Sequence, residues 1–240
     1  MSEQKRIKTK ILKVDKSKWW GDDFDVRFFL ISQLKKIRNK KILDIGGGIG
    51  IISSEIHESN FRVNIDTNFE DLLTCKNKMD EKIHLVCGSM SSLPFRNNIF
   101  DDVICSNLLE VGKSNDILKK RIIKGLGNYY PSVMTALSEI FNITDSPGTI
   151  FITTPNNVYY KSNKLTFQEL NFSLSKYFKK FKINFFNVYK KFGEYRKFNL
   201  ANIIPKLNAK IQNPDKIISN LIKTESSNNY SVSFYVEVKK

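Results

Sequence analysis

Lys41-Ile-Leu-Asp44-Ile-Gly46-Gly47-Gly48-Ile-Gly50 is the segment of this 240-residue chain that carries the most structural information. A short apolar run containing an acid ends in a glycine-rich turn, and the pattern predicts a helix over about 50–59. Read physically, a buried strand stops and the chain turns sharply with its backbone bare. Glycines accept the positive φ angles of such a turn and remove Cβ atoms that would block a ligand. The unpaired N–H groups at a helix start would then face whatever lies against the turn.

The dinucleotide fingerprint G-x-G-x-x-G would place its third glycine at Ile51, so that ligand class, and with it an NAD-linked oxidoreductase, is disfavoured. The glycines stand instead at 46, 48 and 50, with Asp44 two residues earlier. About 20 residues on, Phe61-Arg-Val-Asn-Ile-Asp66 reads as a second strand ending in an acid. Then follow Ile83-His-Leu-Val-Cys-Gly88-Ser89-Met90, Leu93-Pro94-Phe95, Phe100-Asp101-Asp102-Val103-Ile104-Cys105-Ser106 and Asn107-Leu108-Leu109-Glu110. Together these segments, over about residues 41–155, resemble the class I S-adenosylmethionine-dependent methyltransferases. Phe151-Ile-Thr-Thr-Pro155-Asn156-Asn157 and Leu165-Thr166-Phe-Gln-Glu-Leu resemble the quinone-pathway, small-molecule branch, with Thr166 as a helix cap.

The fold this implies is α/β: a Rossmann-like, doubly wound, seven-stranded sheet, mostly parallel with the last strand antiparallel, and helices on both faces. Helices are expected near 50–59, 69–78, 115–125, 132–142 and 166–178. Strands are expected near 41–45, 61–66, 83–88, 102–106, 149–154, 182–189 and 230–238. Residues 1–40 read as an N-terminal helical cap and 41–240 as the methyltransferase domain, with insertions at about 111–131 and 190–229. The insertion after the sixth strand includes a helix pattern at 214–223. In the cap, Phe24–Leu34 has the apolar spacing of an amphipathic helix, and Asp22 or Asp23 could cap it. Trp19 and Trp20 are either a lid over the cleft or an anchor for that helix. The insertions are read as substrate cover or as a dimer contact.

The resemblance also implies a site. Its cofactor is S-adenosylmethionine. Gly46, Gly47, Gly48 and Gly50 would pass under the methionine part, and Asp44 would order the turn and the ammonium end. Asp66 would hold the ribose, Thr67 and Met90 would bracket the adenine, Ser89 stands where relatives carry an acid for the adenine amino group, and Ser106 would offer backbone to the methionine head. Because the sulfonium is already activated, holding the acceptor in line can supply much of the rate, roughly 7–11 kcal/mol. No catalytic residue is assigned: Val111 stands where relatives often have a histidine. His57 and His84 fall away from the strand ends that form the cleft. Acceptor-side candidates are Asn107, Glu110, Tyr129, Tyr130, Asn156 and Tyr159.

Bulk properties bound the rest. The net charge is +15, from 39 Lys and Arg against 24 Asp and Glu. Only 7 of the 39 are Arg, the residue best suited to phosphate forks and base edges. A small-molecule acceptor is therefore the primary partner, with RNA or an anionic membrane surface secondary. The strand-four end, Ser106-Asn107-Leu108-Leu109, also lacks the N/D-P-P-aromatic signature of amino-methylating nucleic-acid enzymes. A third reading is a methyltransferase-like protein that binds the cofactor without turnover. Cys75, Cys87 and Cys105 have no metal spacing, and Cys87 and Cys105 read as small core residues. No metal site is expected. No run approaches the ~20 apolar residues of a membrane span, and the opening residues have no apolar signal core, so a cytoplasmic location is expected. Oligomeric state is left open.

Overall fold

The computed structural model describes residues 24–109, 111, 121–123, 127–129, 131–155, 165–191, 194–198 and 230–240. Helix α1 (Phe24–Leu34) leads into strand β1 (Lys41–Ile45). Then come β2 (Phe61–Asp66), α2 (Phe69–Thr74), β3 (His84–Cys87) and β4 (Phe100–Ser106). A two-stranded antiparallel ribbon, β5 (Arg121–Ile123) and β6 (Gly127–Tyr129), precedes α3 (Pro131–Ile143) and β7 (Thr144–Pro155). The chain continues through α4 (Phe167–Ser175), β8 (Phe181–Lys191), β9 (Glu194–Phe198) and β10 (Tyr230–Lys239).

The main sheet runs β3-β2-β1-β4-β7-β10-β8-β9. Strands β3, β2, β1, β4 and β7 pair in parallel, whereas β10 runs antiparallel to both β7 and β8. This is the mostly parallel sheet with a reversed last strand that the sequence pattern implies. Strand β9 hairpins onto β8 and extends the expected seven strands to eight.

Parallel strands buried on both faces need apolar residues at successive positions, and β1 shows how they are used. Leu43 and Ile45 pack on one face with Val63, Ile65, Val103 and Ile150, under α3 (Val133, Leu137, Ile140) and α4 (Leu170, Leu174). Ile42 lies on the other face with Ile104, Phe151 and Tyr235, under α1. Although the phenylalanines of its sequence keep that helix from being cleanly amphipathic, it buries Val26, Leu30, Ile31 and Leu34 at i, i+4, i+5 and i+8, the face turned to the sheet. Fully burying each such side chain is worth roughly 1.5–3 kcal/mol. Two helix starts are capped as their residue types suggest. Asn68 accepts from the N–H groups of Glu70 and Asp71, and Thr166 forms a reciprocal capping box with Glu169.

Three expectations are corrected. The helix expected over 50–59 is a series of turns with one short 3-10 segment, Ser53–Glu55. The reason is local: the Ser54 hydroxyl bonds the Ile51 carbonyl, the Ser53 hydroxyl is taken by Asp44, and Ile51, Ile52 and Ile56 are β-branched. The helix expected over 115–125 is contradicted at Arg121–Ile123, which pairs with Gly127–Tyr129. Ile122 and Ile123 suit a strand as readily as a helix. Finally, Cys87 is exposed, because it ends β3, the edge strand of the sheet; its thiol points at the Thr67 carbonyl. Cys105 is buried as expected. Trp19, Trp20, Asp22, Asp23 and the 214–223 helix pattern lie outside the described residues.

One tertiary contact closes the far end of the sheet. The Lys240 ammonium donates to the carbonyls of Phe141 and Thr144 at 2.7 and 2.6 Å, just at the end of α3, and to Asn98 Oδ1 at 2.9 Å. It also stands 4.4 Å from the centre of the Phe141 ring. A cation on the last carbonyls of a helix satisfies acceptors that the helix itself leaves unpaired. Lys240→Met, which keeps most of the stem, is expected to destabilise the protein by about 1–2 kcal/mol. Thermal unfolding should record this as a loss of roughly 2–8 °C.

Candidate functional site

In the first half of the sheet the order is β3-β2-β1-β4, so the direction of winding reverses between β1 and β4. In open α/β sheets, ligands bind outside the carboxyl ends of strands at such a reversal. The two segments that meet there are the glycine bend after β1 and the Ser106–Leu108 turn after β4.

The bend is held mainly by β2. Gly46 N–H donates to the Ile65 carbonyl at 2.7 Å, and Gly50 N–H to the Gly47 carbonyl at 2.9 Å. Gly48 N–H donates to Asp66 Oδ2 at 2.9 Å, and Asn64 Nδ2 donates to the Gly48 carbonyl at 2.9 Å. Gly46, Gly48 and Gly50 have φ of 68, 52 and 78°, the left-handed region that glycine enters without penalty.

The space beside each glycine differs. A Cβ on Gly46 would stand 2.8 Å from a Leu108 methyl. One on Gly47 would overlap Asn64 Oδ1 and approach Asp44 Oδ2, and one on Gly50 would overlap the Cys75 sulfur. At those three positions the missing side chain makes room for the protein's own packing. Gly48 is different: a Cβ there would meet nothing nearer than the carboxylates of Asp66 and Asp71, both at 3.9 Å. The open face of the cradle is therefore Gly48, and it looks onto acids.

Beneath the bend lies Asp44, 1% exposed. Its Oδ2 accepts a 2.6 Å bond from the Ser53 hydroxyl, while its Oδ1 has no hydrogen-bond partner. Burial pushes its pKa from the ordinary 3.8 to about 6; the Ser53 bond opposes the shift, Asp66 adds to it, and Arg27 of α1 opposes it. Burial, then the charge of Asp66, also raises the carboxyl of Asp71. An uncompensated buried carboxylate oxygen beneath the bend and two acids beside one bare backbone position suit a cationic ligand.

Around the carboxyl ends of β2 and β3, Asp66 accepts from Asn68 N–H through its other oxygen at 2.8 Å, and Gly88 N–H donates to the Asp66 carbonyl at 3.0 Å. Thr67 is exposed. Met90 is half-buried against the core. Ser89 Oγ lies 2.9 Å from the Ser91 hydroxyl and also accepts from Ser91 N–H, so its acceptor capacity is partly used locally. Ser106 Oγ lies 2.9 Å from Thr153 Oγ1. Asp44, Gly46, Gly47, Gly48, Gly50, Asp66, Thr67, Ser89, Met90 and Ser106 thus cluster on the turns at the carboxyl ends of β1–β4.

Of the acceptor-side candidates, Asn107 adopts φ of 53° and accepts from the Thr153 hydroxyl at 3.0 Å. Tyr129 lies on β6. Glu110, Tyr130, Asn156 and Tyr159 fall outside the described residues. Both histidines are remote from the bend's chemistry: His57 bonds Ser59, and His84, at the start of β3, stacks on Phe61 at 4.4 Å between ring centres. Among the described residues no His, Cys, Asp and Glu are grouped to hold a metal ion, and no helix is long and apolar enough to cross a membrane.

Sequence reading missed Asn64, Ser53 and Thr153. A signal existed for the first: in Arg62-Val63-Asn64-Ile65, polar and apolar residues alternate in a strand whose both faces should be apolar. Its four residues are all buried, with Arg62 paired to Asp80 at 2.8 Å.

Known proteins share this fold. Residues 42–123 match the family described as methyltransferase domain. The uncharacterized protein MJ0638 of Methanocaldococcus jannaschii is 33% identical over 121 residues, 45% of this chain and 50% of that protein. The chain therefore spans about half the length of the curated relative it matches. The structure of the YcgJ protein of Bacillus subtilis superposes over 90% of this chain and 98% of its own, with a TM-score of 0.59 and 12% identity. That of a SAM-dependent methyltransferase from Archaeoglobus fulgidus covers 94% of this chain and 97% of its own, with a TM-score of 0.58 and 19% identity. At such identities the two structures speak for the fold, and the family match for residues 42–123. Residues 42–123 thus match the methyltransferase domain family, and the chain shares the fold of these two solved structures.

Proposed function

We propose that this chain transfers the methyl group of S-adenosylmethionine to a small-molecule or lipid-precursor acceptor. The observation that carries the methyltransferase reading is the Gly48 cradle, open on one face and flanked by Asp66 and Asp71, with Asp44 buried beneath the bend. The bound cofactor would bring a methyl group already activated on a sulfonium. Gly46–Gly50 would leave backbone against its amino-acid end, and Asp44 would supply negative charge beneath its ammonium. Asp66, with lone pairs beyond those given to Gly48 and Asn68, would accept from the ribose hydroxyls. Thr67 and Met90 would flank the adenine, and Ser89 and Ser106 would contribute polar contacts at either end. What remains for the chain is to hold the acceptor in line, which is positioning rather than nucleophilic chemistry.

The small-molecule reading is supported by how the surface charge is arranged. Among the described residues, Lys35, Lys40, Lys82 and Lys239 each pair with an acid: Glu55, Asp101, Glu58 and Glu237. Cations interleaved with acids do not make the continuous basic stripe of a nucleic-acid footprint. Within the small-molecule class, the Thr154-Pro155-Asn156 segment favours a quinone-pathway-like acceptor.

Calorimetric titration with S-adenosylmethionine is expected to show one-site binding at micromolar to sub-millimolar affinity. Labelled cofactor incubated with cellular metabolites should then leave label in a small organic product. No binding at millimolar cofactor ends the reading. Label in RNA, with affinity falling steeply as salt rises, would replace the acceptor class.

A further inference from the structure

We propose that Thr153 is a positioning residue for methyl transfer: through Ser106 and Asn107 its buried hydroxyl sets the turn after β4 against the glycine bend. The proposal rests on the methyltransferase reading above and names a residue that it did not include.

Thr153 sits in β7 directly across from Ser106 in the β4–β7 register, and it is completely buried. One side chain and one carbonyl of this residue hold three groups of the neighbouring turn. Its Oγ1 donates to Asn107 Oδ1 at 3.0 Å. A threonine hydroxyl has one hydrogen, so the 2.9 Å contact with Ser106 must run the other way, from the serine hydroxyl to Thr153 Oγ1. Its carbonyl accepts the Asn107 N–H at 2.8 Å. The relay Ser106 to Thr153 to Asn107 is directed, and it ends on a residue whose φ of 53° non-glycine residues seldom adopt.

That unusual backbone has a consequence one residue on. Leu108 lies with its methyls against the α-carbon of Gly46, close enough that a Cβ there would be 2.8 and 2.9 Å from them. The turn after β4 and the bend after β1 are thereby brought together at the reversal point of the sheet. On the methyltransferase reading, their spacing would set the room for the amino-acid end of the cofactor. Strand alternation explains why the relay can exist. Ile42, Ile104, Phe151 and Tyr235 mark the α1 face of β1, β4, β7 and β10; two residues on, Asp44, Ser106 and Thr153 fall on that same face. A valine would fill the shape of Thr153 in a buried strand. The hydroxyl adds nothing to packing and is accounted for by its bonds.

The test uses S-adenosylhomocysteine as the probe, titrated by calorimetry into the full chain, beside thermal unfolding of the free protein. Thr153→Val is expected to bind the probe at least tenfold more weakly, and Thr153→Ser, which restores the hydroxyl, to bind within about threefold of wild type. Ser106→Ala should weaken binding severalfold, and the double variant should be no weaker than Thr153→Val alone, because both substitutions cut one relay. Wild-type binding in Thr153→Val overturns the proposal. So does equal weakness in Thr153→Ser, which would make the loss one of packing, or losses in the double variant that multiply. Should Thr153→Val not fold, unchanged binding in Ser106→Ala overturns it instead. A wild-type protein that binds neither the probe nor S-adenosylmethionine overturns the methyltransferase reading itself.

Discussion

Gly48→Ala is expected to leave a folded protein that no longer binds S-adenosylmethionine at millimolar concentration. Position 48 has room for a methyl group, since its nearest neighbours would be carboxylate oxygens at 3.9 Å. The cost to folding is that of holding a Cβ at φ of 52°, roughly 1–2 kcal/mol. The methyl group would fill the one face of the bend that is open, so binding suffers far more than stability. Gly50→Ala should behave in the opposite sense. Its Cβ would be driven into the Cys75 sulfur beneath the turn, at φ of 78°. Overpacking of this kind costs ~1–3 kcal/mol on top of the backbone strain. Gly50→Ala should therefore unfold at markedly lower temperature and lose affinity only as a secondary effect. Circular dichroism melts beside calorimetric titration separate the two. Equal affinity in Gly48→Ala and wild type would show that the ligand lies elsewhere.

Asp44→Asn should make the free protein more stable and its cofactor affinity weaker. In the folded protein Asp44 titrates at about 6, against 3.8 ordinarily, because burial disfavours the carboxylate. A pKa unit is about 1.4 kcal/mol, so ionising this group at neutral pH takes of order 3 kcal/mol from folding. The sign follows from proton binding. Between pH 3.8 and 6 the folded chain keeps a proton that the unfolded chain has released, so stability from this group is full below 3.8 and is lost as pH rises to about 6. An asparagine carries no charge to desolvate. Its amide can also answer Asn64 Oδ1, which like Asp44 Oδ1 has no partner under the bend.

At pH 8 the variant should gain about 2 kcal/mol, or roughly 4–8 °C in midpoint. It should also lack the part of the wild-type pH dependence that lies between pH 4 and 6. Its affinity for S-adenosylmethionine at pH 8 should fall about tenfold, because the charge under the ammonium is gone. A variant that is less stable than wild type at pH 8 would mean that Asp44 is ionised at little cost. A buried acid kept at the expense of stability is the pattern of a binding group rather than a structural one.

The strands, their order along the chain and the glycine bend were legible because each rests on local physics. Lys41–Ile45 and Phe61–Asp66 match their expected limits because a buried parallel strand needs a bounded apolar run and a turn residue at its end. The end of α1 near Leu34 was legible from its apolar spacing, and the cap at Thr166 from a hydroxyl placed three residues before a glutamate. Where expectation failed, a contact with a nearby stretch of chain had overridden the helical spacing. The Ile51–Ser59 segment has helical spacing, yet Ser53 turns its hydroxyl to an acid nine residues back. Residues 121–123 carried no local mark that would tell a strand from a helix, and pairing with 127–129 settled it.

For the site, the residue types in Asp44-x-Gly46-x-Gly48-x-Gly50 and the acid at Asp66 pointed to a bare backbone bend and its ligand, since those requirements are conformational and chemical and act over a few residues. Which glycine has open space beside it did not follow from them. Gly46, Gly47 and Gly50 are closed by Leu108, Asn64 and Cys75, which come from three other parts of the chain. Nor did the raised carboxyl of Asp44 or the Ser106–Thr153–Asn107 relay, because burial and hydrogen-bond direction exist only once strands 47 residues apart lie side by side. Spacing along a chain reports what the backbone must do; the room left beside each atom is set by what folds back against it.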